Sequence, residues 1–355
     1  MNILWDLRLF SFGYGNRGVG RFTESLSGSI YFTEPEYRII GWGDKSKIPG
    51  SLQNKIAQWI PYRQSEWKRD LFTIPLIILR HKIDLYHYWV ALGPKRQIGL
   101  GLFHPCPAVA TVYDMGVQYW DIPFLRSVKT SRYWRMQKIL AGSLKSLICI
   151  SESAKSDLVK AFPDVKNKCH TLYMPVSRLN TGNTDRKPYF VMLGGSVHKN
   201  CARAVKAFSQ LGEEYPQFNL LILGDVDKKE EGLENVPETV LFEPGMDRYN
   251  YHLDNCSGLI FCSLYEGLGI PPLEAMAAGC PVVASTIPSV EETCTGAARF
   301  ADPMNVESIS LAIRDLIENN SLWAERSREG AARYRMISND SGNKCVEIYK
   351  KLVYK

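Results

Sequence analysis

The 355-residue chain is 45% apolar and 23% charged, the balance of a soluble globular protein long enough for two domains with their own cores. Its longest aliphatic stretch, residues 72–79, is interrupted by Pro75 and far too short to span a bilayer, and the first residues read as a buried strand rather than a signal peptide. Nine cysteines, odd in number and without a Cys-x2-Cys pair, suggest neither a disulfide framework nor a zinc site, so a reducing, cytoplasmic setting is expected.

The net charge of +6 hides an asymmetry: residues 1–175 carry 24 Lys and Arg against 13 Asp and Glu, a net of +11, and the remainder stands at −5. A basic first half points to an acidic or anionic-surface partner for that half alone.

Taken in chain order, strand-like runs are expected at 2–6, 37–43, 83–88, 108–114 and 146–151, then at 189–194, 218–225, 239–243, 258–265, 281–285 and 297–301, with helical patterns between them. Near-continuous Val/Ile/Leu strands alternating with helices predict parallel sheets covered on both faces. The polar run 177–188 has linker composition. The expected architecture is therefore α/β, with two Rossmann-like domains facing one another across a cleft, at 1–176 and 177–342. Residues 343–355 show a helical pattern with Val346, Ile348, Tyr349 and Leu352 apolar.

The densest chemical signal lies at Glu266-Gly-Leu-Gly-Ile-Pro-Pro-Leu-Glu274, running on to the apolar strand at 282–285. Gly267 and Gly269 remove side chains where a ligand could touch backbone amides, and Pro271 and Pro272 suit the first turn of a helix. Two carboxylates eight residues apart, one in the loop and one on the helix, can then point into one cleft while the helix offers its positive end to a phosphate. A nucleotide sugar fits such a site.

The whole stretch SLYEGLGIPPLEAMAAGCPVVAS closely resembles the Glu-x7-Glu signature of the retaining glycosyltransferases of family 4, which have the GT-B fold. GNRGVGRF (15–22), IDLYHY (83–88), ICISESAKSDLVKAF (148–162) and VMLGGSVHKNCARAVKAF (191–208) resemble recurrent family segments at lower specificity. The resemblance implies a basic acceptor domain followed by a donor domain, with the final helix returning to the first.

By the same resemblance, Glu266 accepts hydrogen bonds from the donor sugar and Glu274 from the ribose, while the amides of Gly267, Leu268 and Gly269 contact the sugar or diphosphate. Lys199, in the HKN segment, neutralises the diphosphate. Where relatives add an arginine nearby this chain has Gly195 and Ser196, and Arg203, one turn after Lys199, is a candidate replacement. The Gly18, Gly20 and Arg21 loop is implied near the acceptor. Tyr113-Asp114 stands where relatives often have His-Asp; a tyrosine there retains hydrogen bonding or stacking but no imidazole chemistry, and strand-end packing is the other reading. His87 is a further candidate for the acceptor side.

The resemblance also implies transfer on one face of the sugar, the leaving phosphate helping to deprotonate the acceptor, so that positioning and charge stabilisation dominate. No cofactor is then needed beyond the nucleotide sugar itself. Asp225-Val-Asp227 spells an Asp-x-Asp string but is read as solvated, and no essential metal is expected. The basic, aromatic segments 61–72 and 126–138, the latter with Tyr133 and Trp134, suit the headgroup layer of an anionic membrane; an ordinary solvated helix is the alternative. No nucleic-acid module accompanies the charge. The expected activity is hexose transfer from a nucleotide sugar, GDP-mannose as the first choice, to a lipid-linked surface glycan, at the inner membrane face. Mannose rests on the resemblance of the HKN and EGLGIPPLEAMAAG segments to O-antigen mannosyltransferases. A soluble acceptor with a UDP-sugar is the second reading. A nucleotide-sugar epimerase would lack the signature, and a non-catalytic glycan-binding relative would be expected to have lost Glu266 or Lys199.

Overall fold

The computed structural model describes residues 1–15, 18–62, 67–90, 92, 100–101, 103–116, 130–175, 186–229, 232–338 and 340–354. The expected linker 177–185 and residues 16–17, 63–66, 126–129, 230–231 and 355 of the segments singled out above lie outside them, as do the side chains of residues 67–69. The chain forms two compact units: Met1–Pro175 with Asp340–Lys355, and Val176–Asn339.

Unit 1 holds a seven-stranded, all-parallel sheet in the order β3-β2-β1-β4-β5-β6-β7. Its strands are β1 (Asn2–Asp6), β2 (Arg38–Gly43), β3 (Gln58–Pro61), β4 (Leu85–Tyr88), β5 (Ala108–Val112), β6 (Ser146–Cys149) and β7 (Cys169–Thr171). The helices are α1 (Gly18–Thr33), α2 (Gly50–Gln53), α3 (Trp67–Arg80), α4 (Arg132–Ala141), α5 (Glu152–Ala161) and, from the end of the chain, a final helix at Ser341–Val353. Side chains alternate along the strands. Leu4, Tyr86, Tyr88, Ala110 and Leu147 pack under Ile74 and Ile78 of α3, Trp134 of α4 and Leu158 of α5. The final helix packs on α1 and β4, burying Val346 and Tyr349.

Unit 2 holds a six-stranded parallel sheet, order β10-β9-β8-β11-β12-β13. The strands are β8 (Lys187–Leu193), β9 (Asn219–Leu223), β10 (Val240–Glu243), β11 (Cys256–Phe261), β12 (Val282–Ser285) and β13 (Arg299–Ala301). Between and after them run α6 (Cys201–Ser209), α7 (Tyr249–Asn255), α8 (Ile270–Ala277), α9 (Pro288–Cys294), α10 (Val306–Glu318) and α11 (Asn320–Ser338); the final helix of the chain is then α12. Phe190, Met192, Ile222 and Ile260 meet Ala204, Val205 and Phe208 of α6 and Ile309, Ile313 and Leu316 of α10. Each unit is thus a Rossmann-like α/β layer structure, as the alternating pattern predicts.

Among the described residues no helix is long and apolar enough to cross a membrane, and every cysteine is free, all but Cys106 being buried. Beside exposed Arg80 and Lys82, α3 displays Phe72, Leu76 and Leu79, each at least 60% exposed. Tyr133 and Trp134 do not follow the headgroup expectation. Both are buried under the sheet, 3% and 1% exposed, because the amphipathic period of α4 turns its aromatics inward and leaves Arg132, Arg135 and Ile139 outside.

Candidate active site

The residues expected on the donor side all lie in unit 2. After β8 the chain makes a 3-10 turn, Val197–Lys199, and enters α6. Asn200 fixes that turn: it is 4% exposed, sits at φ 64°, and its Nδ2 donates to the carbonyls of Cys262 (3.0 Å) and Pro303 (2.7 Å). A left-handed non-glycine residue persists where its surroundings determine it, and two buried carbonyls do so here. The Leu264 amide also donates to the His198 carbonyl at 2.8 Å. These bonds carry Lys199 to the segment after β11, with its Nζ 2.6 Å from Glu266 Oε1 and 5.4 Å from the Phe261 ring centroid.

Burial pushes the Glu266 carboxyl up, but the Lys199 ammonium, His198 and the hydrogen bond from Lys199 outweigh it and hold the group below the usual carboxylate range. Glu266 is therefore an acceptor-only carboxylate at neutral pH. Gly267, Leu268 and Gly269 follow. Leu268 is buried and its carbonyl accepts from the Thr293 hydroxyl. Gly269 caps α8 at φ 90°, a conformation that favours glycine. Pro271 and Pro272 occupy the first turn of α8 and have no N–H, and the Leu273 amide bonds Gly269 O at 3.2 Å. An anion at this helix end would rest chiefly on amides of the loop. Glu274 is half-buried in the second turn of α8. Arg203, also half-buried, donates from Nη1 to Asn200 Oδ1 at 2.9 Å, so it braces the Lys199 turn.

The unit 1 candidates are less uniform. Gly18 opens α1, and Arg21 is half-buried in its first turn. Gly20 is required by a close approach: a Cβ there would lie 2.2 Å from Gly15 O. Tyr113 is not a site residue by its placement. It is 7% exposed, shares a 2.8 Å hydrogen bond with the Thr23 hydroxyl, donates to Val19 O at 3.2 Å and meets Phe22 edge-on at 5.4 Å. Burial pushes its phenol well up, so it packs α1 onto the end of β5. Asp114 is exposed and accepts from the Gly116 amide at 2.7 Å, a local turn bond.

His87 likewise corrects the expectation of an acceptor-facing imidazole. It is fully buried, with Nδ1 2.5 Å from the Tyr349 hydroxyl and Nε2 2.8 Å from that of Thr111, and it stacks on Trp89 at 4.1 Å. Burial pushes its pKa down to about 3, so it is a neutral packing residue. Asp225 and Asp227 are exposed, Asp227 accepting from the Lys229 amide at 3.0 Å. Among the described residues no group of three or more His, Cys, Asp or Glu is gathered for a metal.

Sequence reasoning missed two features. Asn200 ties the turn carrying Lys199 to the chain after β11, and a polar residue with αL tolerance directly before a helix was its signal. In unit 1 the fully buried Arg8 pairs bidentately with Asp6 (2.7 and 2.8 Å) and with Asp70 (2.8 Å), and lies 3.6 Å from the Trp42 centroid; Tyr86 donates to Asp6 at 2.8 Å.

Residues 177–334 match the family "Glycosyl transferases group 1". The O-antigen chain mannosyltransferase RfbU of Salmonella typhimurium is 26% identical over 253 residues, 65% of this chain and 69% of that protein. O-antigen chain mannosyltransferase B of Escherichia coli is 25% identical over 273 residues, 69% and 70% of the two chains. Most of unit 2 thus matches a glycosyltransferase family, and the chain resembles the O-antigen mannosyltransferases. Its fold is GT-B: HepE of Anabaena, solved with UDP and glucose, superposes with a TM-score of 0.73 at 14% identity, covering 99% of this chain and 100% of that one.

Proposed function

We propose that this chain is a retaining, metal-independent hexosyltransferase that moves mannose from GDP-mannose to a growing, lipid-linked surface glycan, with unit 2 binding the donor and unit 1 the acceptor. The observation that carries the proposal is the Lys199–Glu266 pair at the head of the Gly267–Gly269 loop. An incoming diphosphate offers Lys199 a more highly charged partner than one carboxylate, which frees Glu266 to accept from a sugar hydroxyl. Glu274 then takes the ribose hydroxyls, and Arg203 supports the turn.

In the transfer, the bond from the anomeric carbon to the phosphate oxygen breaks and a bond to the acceptor oxygen forms on the same face of the sugar. The acceptor proton passes to the departing phosphate. Positioning and stabilisation of diphosphate charge supply the rate enhancement, with no cofactor and no protein nucleophile. The O-antigen relatives support mannose and a surface glycan. The basic, partly apolar exterior of unit 1 supports docking on the cytoplasmic face of an anionic membrane. A UDP-sugar with a soluble acceptor is the second reading, favoured by the UDP and glucose bound to the HepE fold relative.

A thermal-shift panel of nucleotide sugars tests the donor, since a ligand that binds only the folded state raises its stability. GDP-mannose should give the largest shift and Lys199→Ala should reduce it by more than Glu274→Ala. A larger shift with UDP-glucose selects the second reading; equal shifts in wild type and both variants would remove the assigned site.

A further inference from the structure

We propose that the groove between edge strand β7 and helix α12 of unit 1 is a binding site for a phosphorylated sugar, separate from the Lys199–Glu266 site. The groove encloses about 540 Å³, within the range of roughly 300–1,000 Å³ that small-ligand sites occupy and larger than a bare ion needs. Lys145, Lys155, Lys344 and Lys351 line it against one carboxylate, Glu347, a local excess of three positive charges. Glu347 lies 3.8 Å from Lys351, and Lys155 lies 3.2 Å from Glu152 outside the lining. Neither Lys145 nor Lys344 has a carboxylate within 4.0 Å among the described residues. These two cations are therefore available to an anion.

His170 lines the groove together with Lys155 and Lys351, and burial, followed by those two ammoniums, pushes its imidazole below its ordinary value. The Thr171 hydroxyl lines the same groove, buried and without a hydrogen-bond partner. Ile348, Leu352 and Leu172 give it an apolar wall. Cations at one place, a waiting hydroxyl and an apolar wall match a phosphoryl group attached to a pyranose, whose carbon face packs while its oxygens hydrogen-bond. Lysine suits the phosphoryl part as a compact charge.

The test is an NMR titration of the full chain with glucose 6-phosphate, following the six imidazoles, with His170 assigned through His170→Gln. A saturable shift of the His170 resonance is expected. It should weaken by about tenfold or more when Lys145→Ser and Lys344→Ser are combined, given about 1.5–3 kcal/mol for a contact to a charged group, and should persist in Lys199→Ala. An unmoved His170, or a shift indifferent to the double variant, overturns the site. Inorganic phosphate binding as tightly as glucose 6-phosphate overturns its sugar specificity. Response only to phosphatidylglycerol vesicles reassigns the groove to a lipid headgroup and overturns the proposal.

Discussion

Each unit contains a short ion pair at the head of its sheet, and the two differ in their access to water. In unit 1 Arg8, Asp6 and Asp70 have side chains 0%, 2% and 0% exposed, whereas in unit 2 Lys199 and Glu266 retain 19% and 15%. The first cluster is saturated: guanidinium, carboxylates and the Tyr86 hydroxyl satisfy one another, and no outside group can compete. The second joins two single charges at a surface, where a ligand of higher charge can displace one partner. Comparable distances thus serve different ends. A sealed pair fixes the chain and an accessible one can exchange, so access rather than bond length separates architecture from chemistry.

The largest effect that tests this contrast is Arg8→Met, which leaves Asp6 and Asp70 buried without their cation. A loss of about 3–5 kcal/mol is expected, read as a fall in the denaturant midpoint, with nucleotide-sugar binding by the surviving folded fraction unchanged. Full stability with lost donor binding would reverse the roles given to the two pairs.

Next in size is Lys199→Met. It should weaken donor binding by about 1.5–3 kcal/mol while shifting the melting temperature little. The variant also has a pH signature. Lys199 holds the Glu266 carboxyl low against the opposing effect of burial, so without the ammonium the carboxyl rises. The acid limb of kcat/KM should then begin at a higher pH than in wild type. An unmoved limb would separate Glu266 from the catalytic cycle.

A smaller effect belongs to His87. Its folded pKa of about 3 lies below its unfolded value of about 6.5, so between those values the unfolded chain binds the extra proton and stability falls as pH falls. The loss approaches about 1.4 kcal/mol per pH unit below 6.5. His87→Gln should flatten this slope in a melting series from pH 7.5 to 5.5; an unchanged slope would assign the proton to another group. The smallest expected effect is none: excess chelator, and Asp225→Ala combined with Asp227→Ala, should leave transfer intact. Activity lost on chelation and restored by manganese would sink the metal-free mechanism.

Much of the fold was legible because buried parallel strands are continuous apolar runs. Residues 2–6 coincide with β1, and the other ten expected strands overlap observed ones with ends shifted by up to four residues. β3 and β7 escaped notice for a physical reason: they are sheet edges, only four and three residues long, and need no sustained apolar pattern. Lys199 and Glu266 were legible as a resemblance, and their 2.6 Å contact across 67 positions was not, since it depends on Asn200 bonding the far carbonyls. Tyr113 and His87 show the opposite limit. A polar aromatic at a strand end reads alike whether it faces substrate or core, and only the partners supplied by α1 and α12 decide.

The contact between His87 and Tyr349 spans 262 positions, and unit 2 occupies the uninterrupted stretch Val176–Asn339 between the two pieces of unit 1. Synthesis proceeds from the N-terminus and domains fold largely as units, so unit 2 can close while the nascent chain still lacks α12. Until that helix emerges from the ribosome, the α1 surface and His87 await their cover. A message truncated before Asp340 would thus leave unit 2 whole beside an incomplete unit 1 whose His87 lacks its Tyr349 partner.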